Sequence, residues 1–247
     1  MNLSIGLQLY SIKEETSKDF VGTLKKVAEI GYQGVEFAGY GGLSSLELKQ
    51  LLQELKLKPC GSHVPLVDLT ENLNKVIEYN LEIGNPYIIC PYAEYGSKKD
   101  FLDMAQRLTS VAEKCSKQGL MVGYHNHAHE IQQFDGEFGL DLIYKNTDPT
   151  MVKAEIDTYW IQYAGTNPIE YVKKHADRCE LLHIKDMEII EGVKRSTEIG
   201  NGIMDIKALV ETAKAIDVKW LIVEQEFFAK PLMEAVTIGY KNLKKLI

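Results

Sequence analysis

Short apolar runs of five to seven residues alternate with longer amphipathic stretches along the whole chain. The runs are LSIGLQL (3–9), QGVEF (33–37), LKPCGSH (57–63), PYIIC (86–90), LMVGYH (120–125), MVKAEID (151–157), ELLHI (180–184) and KWLIVE (219–224). Each is too short for a buried helix and reads as a strand covered on both faces. Between them, apolar residues recur at helical spacing. Phe20, Leu24, Val27 and Ala28 mark one face. Leu102, Ala105, Leu108, Val111, Ala112 and Cys115 mark a longer one. Ile206, Leu209, Val210 and Ala213 mark a third. Leu232, Ala235, Val236, Tyr240 and Leu243 mark the last, with Lys241, Lys244 and Lys245 near its C-terminus, where cations suit the helix dipole. Ser17-Lys18-Asp19 and Thr70-Glu71-Asn72 read as helix starts. A short helix is expected over 139–146. The link after the sixth run reads as irregular, with Thr166-Asn167-Pro168 before a short helix.

This alternation predicts an α/β fold with a parallel sheet. Eight strand–helix units in 247 residues match a single (β/α)8 TIM barrel, eight-stranded and parallel, spanning 1–247 as one domain. An open doubly wound sheet opens on a glycine-rich first turn, and YSIKEETSK (10–18) holds no glycine. The longest loop, 187–204, follows the seventh strand and is expected over the C-terminal face, where barrel active sites sit.

The formal net charge of −7 is a poor match to a phosphate backbone, so nucleic acid is not expected as a partner. No apolar run reaches the roughly 20 residues that cross a bilayer, and MNLSIGLQLYS has no basic leader pattern. The expectation is a cytoplasmic protein with no membrane contact. Cys60, Cys90, Cys115 and Cys179 are widely spaced and read as reduced, buried thiols.

Four polar residues close four consecutive strands: His125, Asp157, His183 and Glu224. Parallel neighbours would bring them to one rim, where two imidazoles and two carboxylates can hold one divalent ion. The mixed set suits Mn, Zn, Co or Fe better than Mg. YHNHAHE (124–130) carries three histidines of like parity. His125 is closest to the strand end and is the first candidate ligand. His127 is the second, and whichever does not ligate faces the substrate; His129 reads as loop structure. Other strand ends supply Gln8, Tyr10, Glu36, His63 and Tyr92 for an opposite wall, with Glu155 two residues before Asp157. Gln8 and Glu36 can equally fill the barrel mouth with hydrogen bonds. Lys185 can hold a substrate oxygen or phosphate, or pair with Asp186 or Glu155. Trp160 either offers an apolar floor to a sugar ring or only packs. Glu198-Ile199-Gly200-Asn201-Gly202 supplies flexible backbone without a phosphate-loop motif.

GLQLYS, GYQGVEF, YHNHAHE, EIDTYW, LLHIKD, EIGNGIMD and IVEQE together resemble the xylose isomerase-like TIM-barrel superfamily, in the branch called sugar phosphate isomerase/epimerase. The resemblance runs over essentially the whole chain. It implies a Glu-Asp-His-Glu metal set on strands five to eight, which falls on His125, Asp157, His183 and Glu224. Two positions depart: His125 stands for the usual glutamate, and Trp160 for a frequent histidine. In the ketose epimerases of this family both glutamates ligate metal and move protons. With only Glu224 left, a symmetric two-glutamate exchange lacks one base.

The expected chemistry is isomerisation or epimerisation of a sugar or keto-sugar, with or without a phosphate. It proceeds by proton transfer next to a carbonyl, through an enediolate that one divalent metal ion stabilises. Glu224 is the expected base, with His127 or Lys185 as its acid partner. A dehydratase or lyase of a keto-sugar or keto-polyol shares the same first step. Metal-assisted hydrolysis is a further alternative, but the related endonuclease fold normally needs more metal ligands and a basic DNA face, against the net charge of −7; a non-catalytic sugar-binding barrel would need no Lewis acid. The expected partner is a small sugar-like substrate; a homo-oligomer is compatible with the sequence.

Overall fold

A computed structural model describes residues 3–247; the first two positions of the expected domain lie outside the described residues. The eight strands are β1 (Ser4–Gln8), β2 (Gly34–Phe37), β3 (Lys58–His63), β4 (Tyr87–Cys90), β5 (Met121–His125), β6 (Val152–Asp157), β7 (Cys179–Ile184) and β8 (Trp220–Val223). All pair in parallel with their chain neighbours, and β8 closes on β1. The chain is therefore a (β/α)8 barrel.

Side chains alternate across this cylinder and separate two apolar layers. Outward residues such as Leu7, Val35, Ile88, Val122, Ile156, Leu182 and Leu221 pack under the helices. The lumen holds a second, smaller cluster of Cys60, Tyr87, Ile89, Leu181, Trp220 and Ile222. Two glycines make room for it. A Cβ on Gly34 would lie 2.7 Å from the Trp220 ring, and one on Gly6 would lie 2.7 Å from Cys60 Sγ. At the N-terminal end Lys153 pairs with Glu180 at 2.7 Å, and the Tyr87 hydroxyl donates to the same carboxylate. The lumen is thus filled from below and opens at the C-terminal face.

Local readings shift in several places. Asp19, the third residue of the Ser17 window, caps helix Phe20–Ile30 by accepting from Gly22 N–H at 2.9 Å. Ser17 lies inside a short helix, Lys13–Lys18, in what read as an open turn. Thr70 likewise falls inside Leu66–Glu71, and Asn72 precedes helix Leu73–Ile83. The link after β6 is more regular than expected. Asp157 caps helix Thr158–Tyr163, and Asn167 with Pro168 opens Pro168–Lys174. The loop after β7 contains a hairpin, Asp186–Ile190 with Val193–Thr197. Its Ser196 Oγ accepts from Glu226 and Phe227 N–H, which ties it to the loop after β8 at the barrel mouth. All four cysteines are free and buried. Among the described residues no helix is long and apolar enough to cross a membrane.

Candidate metal centre

The register sets the height of each polar residue in the lumen. Asp157, the last residue of β6, pairs across with His183, the last but one of β7, and His183 with Ile222; Glu224 follows the last residue of β8. Ligand atoms of His125, Asp157, His183 and Glu224 all lie within 4.8 Å of one another, and all four residues are buried. His125 Nε2 is 3.5 Å from Asp157 Oδ2 and 3.9 Å from Glu224 Oε2, while His183 Nδ1 is 2.9 Å from Glu224 Oε2. Asp157 is held by its other oxygen: Oδ1 accepts from Trp160 N–H at 3.0 Å, leaving Oδ2 turned toward His125 and the Lys185 ammonium. Asn126 of the HNH motif accepts from Asp157 N–H at 3.0 Å and so joins the ends of β5 and β6. Glu130 accepts from the Tyr124 hydroxyl and His127 N–H, fixing the turn that follows.

Lys185 completes this group, and its partners differ from those expected. Its ammonium lies 3.0 Å from Glu224 Oε2, 3.1 Å from Asp157 Oδ2 and 3.3 Å from Glu226 Oε1. It pairs with neither Asp186 nor Glu155. It is fully buried, over the rings of Tyr159 and Trp160. Asp186 instead accepts backbone N–H bonds from Met187, Gly200, Gly202 and Met204. The glycine-rich 198–202 segment is thereby wrapped around a carboxylate, where a phosphate would be repelled.

Glu36, His63, Glu155 and His183 form a second layer beneath the first. His183 joins the two: its Nδ1 faces Glu224 and its Nε2 lies 2.7 Å from Glu36 Oε2. His63 Nε2 sits 2.8 Å from Glu155 Oε2 and 3.3 Å from Glu36 Oε2. Gln8 Nε2 donates to Glu36 Oε2 at 2.8 Å. Gln8, Glu36 and Glu155, expected on the substrate wall, are fully buried below it. The open cavity above is about 300 Å³ and is lined by Tyr10, His63, Pro91, Tyr92, His125, His127, Glu224 and Glu226. Glu226 is the lining carboxylate that sequence reasoning passed over; it lies two residues beyond Glu224 in the EQE motif. Trp160 does not line the cavity but packs beside His127. His129 bonds the Ala93 carbonyl in the loop.

The electrostatics follow from this packing. Burial alone would raise the carboxyl groups of Asp157 and Glu224. The Lys185 ammonium outweighs it, helped by His125 for Asp157 and by His183 and His125 for Glu224, so Asp157 falls to about 2 and Glu224 well below its usual range. Burial works against charge on His183, but Glu155, Glu36 and Glu224 hold it well above the ordinary imidazole range. His63 is likewise opposed by burial yet raised to about 10 by Glu36 and Glu155. At His127 the pull of Asp157 and Glu224 is too weak to do the same. Burial, then His125, lowers it to about 3, so it stays neutral.

The upper layer fits a divalent ion. Tetrahedral ligands about 2.1 Å from a metal stand about 3.4 Å apart, close to the spacings here. His125 Nε2 and Asp157 Oδ2 are buried, face the same point and make no hydrogen bond. The Lys185 ammonium beside them shows that the carboxylates already require positive charge.

A family model described as the xylose isomerase-like TIM barrel matches residues 24–240. The chain belongs to this family. Inosose dehydratase of Geobacillus kaustophilus is 29% identical over 135 residues, covering 48% of this chain and 43% of that protein. Inosose dehydratase of Clostridium beijerinckii is 25% identical over 154 residues, 56% of this chain and 51% of that protein. The chain thus spans about half the length of these curated relatives. A sugar phosphate isomerase/epimerase from Parabacteroides distasonis has a TM-score of 0.82 and 27% identity, covering 99% of this chain and 98% of its own. The IolI protein, whose crystal structure holds a zinc atom, has a TM-score of 0.79, covering 99% of each chain; at 16% identity it bears on the fold alone. Within the xylose isomerase-like family this chain therefore presents a compact His-Asp-His-Glu group at the barrel mouth.

Proposed function

We propose that the protein is a metal-dependent enzyme that removes a proton next to the carbonyl of a keto-sugar or keto-cyclitol. The observation that carries this reading is the convergence of His125, Asp157, His183 and Glu224 below a cavity of about 300 Å³. One divalent ion held by those four residues would polarise the carbonyl and stabilise the charge that develops on its oxygen. The cavity is of a size for one sugar ring, and its hydroxyl, imidazole and carboxylate groups suit a polyol.

The chain's own groups divide by character around that space. Glu224 and Glu226 are the carboxylates, and Lys185 reaches both. Glu224 is held as an anion by Lys185 and His183, which favours a ligand role over a strong base. Glu226 is raised, by burial first, though Lys185 opposes the rise, and it is partly exposed to the cavity; it is the better placed group to accept a proton. His127, neutral and lining the same space, orients a hydroxyl by hydrogen bonding.

Elimination of water needs one base and a different acid, whereas epimerisation needs two exchanging bases on opposite faces of the substrate. Glu226, set to accept a proton, shares the cavity with His63, which Glu36 and Glu155 hold protonated, and these two form the first kind of pair. That asymmetry, with the names of the two curated relatives, favours a dehydratase; isomerisation or epimerisation is the second reading, supported by the P. distasonis relative. The test is incubation of Mn²⁺-loaded protein with inososes and keto-hexoses in D₂O, followed by NMR. Loss of a hydroxyl together with solvent exchange is expected. Exchange with the carbon skeleton and hydroxyls retained would select the isomerase, and no exchange with any substrate would sink the proposal.

A further inference from the structure

His183 has a carboxylate on each ring nitrogen. Nδ1 faces Glu224 in the upper group, and Nε2 faces Glu36 below. A histidine that ligates a metal through one nitrogen is commonly fixed by an N–H donated from the other to a carboxylate. Glu36 meets that description from four sides. It is fully buried. Its Oε2 takes His183 Nε2 at 2.7 Å and the Gln8 amide at 2.8 Å, with His63 at 3.3 Å. Its Oε1 has no partner and lies where a side chain on residue 61 would be: a Cβ built on Gly61 would fall 2.2 Å from it. Gln8 and Gly61 therefore form a seat for this carboxylate.

The geometry points to Glu36 as the residue that positions His183, holding its proton on Nε2 so that Nδ1 is presented to a metal in the upper group. This rests on the metal reading above. It assigns the lower layer of Glu36, His63 and Glu155 to orientation of the ligand. The competing assignment is a second metal ion among Glu36, His63, Glu155 and His183, whose donor atoms are also close together. Filling both layers at once would require His183 to ligate through both ring nitrogens, which leaves Glu36 Oε2 without the N–H it accepts at 2.7 Å.

The experiment is titration of the metal-free protein with Mn²⁺ by calorimetry, and with Co²⁺ by visible absorption, for wild type, Glu36→Gln, Gln8→Leu and Ser62→Ala. Ser62 is buried on the same strand as His63 but bonds Asn80 and Asn85, away from the site, so Ser62→Ala reports general loosening of the barrel. One ion per chain is expected throughout. Glu36→Gln should weaken Mn²⁺ binding by about 10–100-fold. Gln8→Leu should weaken it by less, and Ser62→Ala should leave it unchanged. The Co²⁺ band should change in Glu36→Gln as water replaces a firmly held imidazole. An unchanged Kd and Co²⁺ band in Glu36→Gln would overturn the assignment while leaving the metal reading intact. Two ions in wild type, falling to one in Glu36→Gln, would overturn it in favour of a second site. No ion in wild type would remove the metal reading and this assignment together.

Discussion

Replacing Lys185 separates its role as a buried counter-ion from a role confined to substrate. Its ammonium touches Asp157, Glu224 and Glu226 within 3.3 Å and is fully enclosed. Lys185→Met keeps most of the side chain's length and its packing against Tyr159 and Trp160, and removes only the charge. Removing one member of a buried ion pair costs about 3–5 kcal/mol, because the partner charge is left uncompensated. For a chain of this size each kcal/mol shifts Tm by about 2–4 °C, so the metal-free variant should melt about 6–20 °C below wild type. The sign reverses for metal. Without Lys185 the carboxylates lose their ammonium counter-ion, so Mn²⁺ should bind the variant more tightly and raise its Tm by more than it raises that of wild type. Differential scanning calorimetry in EDTA and in Mn²⁺ reads both effects. A metal-free Tm within about 2 °C of wild type, or an equal Mn²⁺ increment in the two proteins, would refute the counter-ion argument.

Other expectations follow from the same geometry. His183 is held protonated in the metal-free protein, so metal binding through Nδ1 must release a proton; affinity should fall about tenfold per pH unit toward acid for each proton released, read by titration in buffers of different ionisation enthalpy. The folded pKa of His63 is raised to about 10. Its contribution to stability is therefore complete below the unfolded value of about 6.5 and disappears as pH rises through about 10, at about 1.4 kcal/mol per pH unit. His63→Gln should flatten that slope in urea melts of metal-free protein, and an unaltered slope would contradict the pairing with Glu155 and Glu36. Gly34→Ala would drive a methyl into the Trp220 ring and should cost about 1–3 kcal/mol in the same assay; a neutral result would mean that the lumen is looser than described.

The fold was legible because each strand is a short apolar run and the runs recur about every thirty residues. Strand parity also brought His125, Asp157, His183 and Glu224 to one side of the sheet, which is most of the candidate site. Depth was harder to read. Glu155 precedes Asp157 by two residues, about 6.6 Å along a strand, and this drops it one layer into the lumen. The register irregularities beside Glu36 and Glu155 alter the heights again, so Glu36 reaches His183 across the barrel. Lys185 was ambiguous because its three carboxylate partners come from two other segments, the end of β6 and the stretch after β8, neither adjacent to it in sequence. Glu226 lies past the end of β8, where parity no longer applies. The helix Ser45–Leu55 carries a signal that went unread: Ser44 and Glu47 form a reciprocal capping box.

The central claim is that one ion sits among residues from β5, β6, β7 and the end of β8. Anomalous diffraction from crystals grown with Mn²⁺, collected on both sides of the manganese edge, tests it most directly. The account predicts a single strong peak within bonding distance of His125 Nε2, Asp157 Oδ2, His183 Nδ1 and a Glu224 carboxylate oxygen. A barrel mouth with no peak and Lys185 still bridging Asp157 and Glu224, or a peak lying only among Glu36, His63 and Glu155, would contradict it.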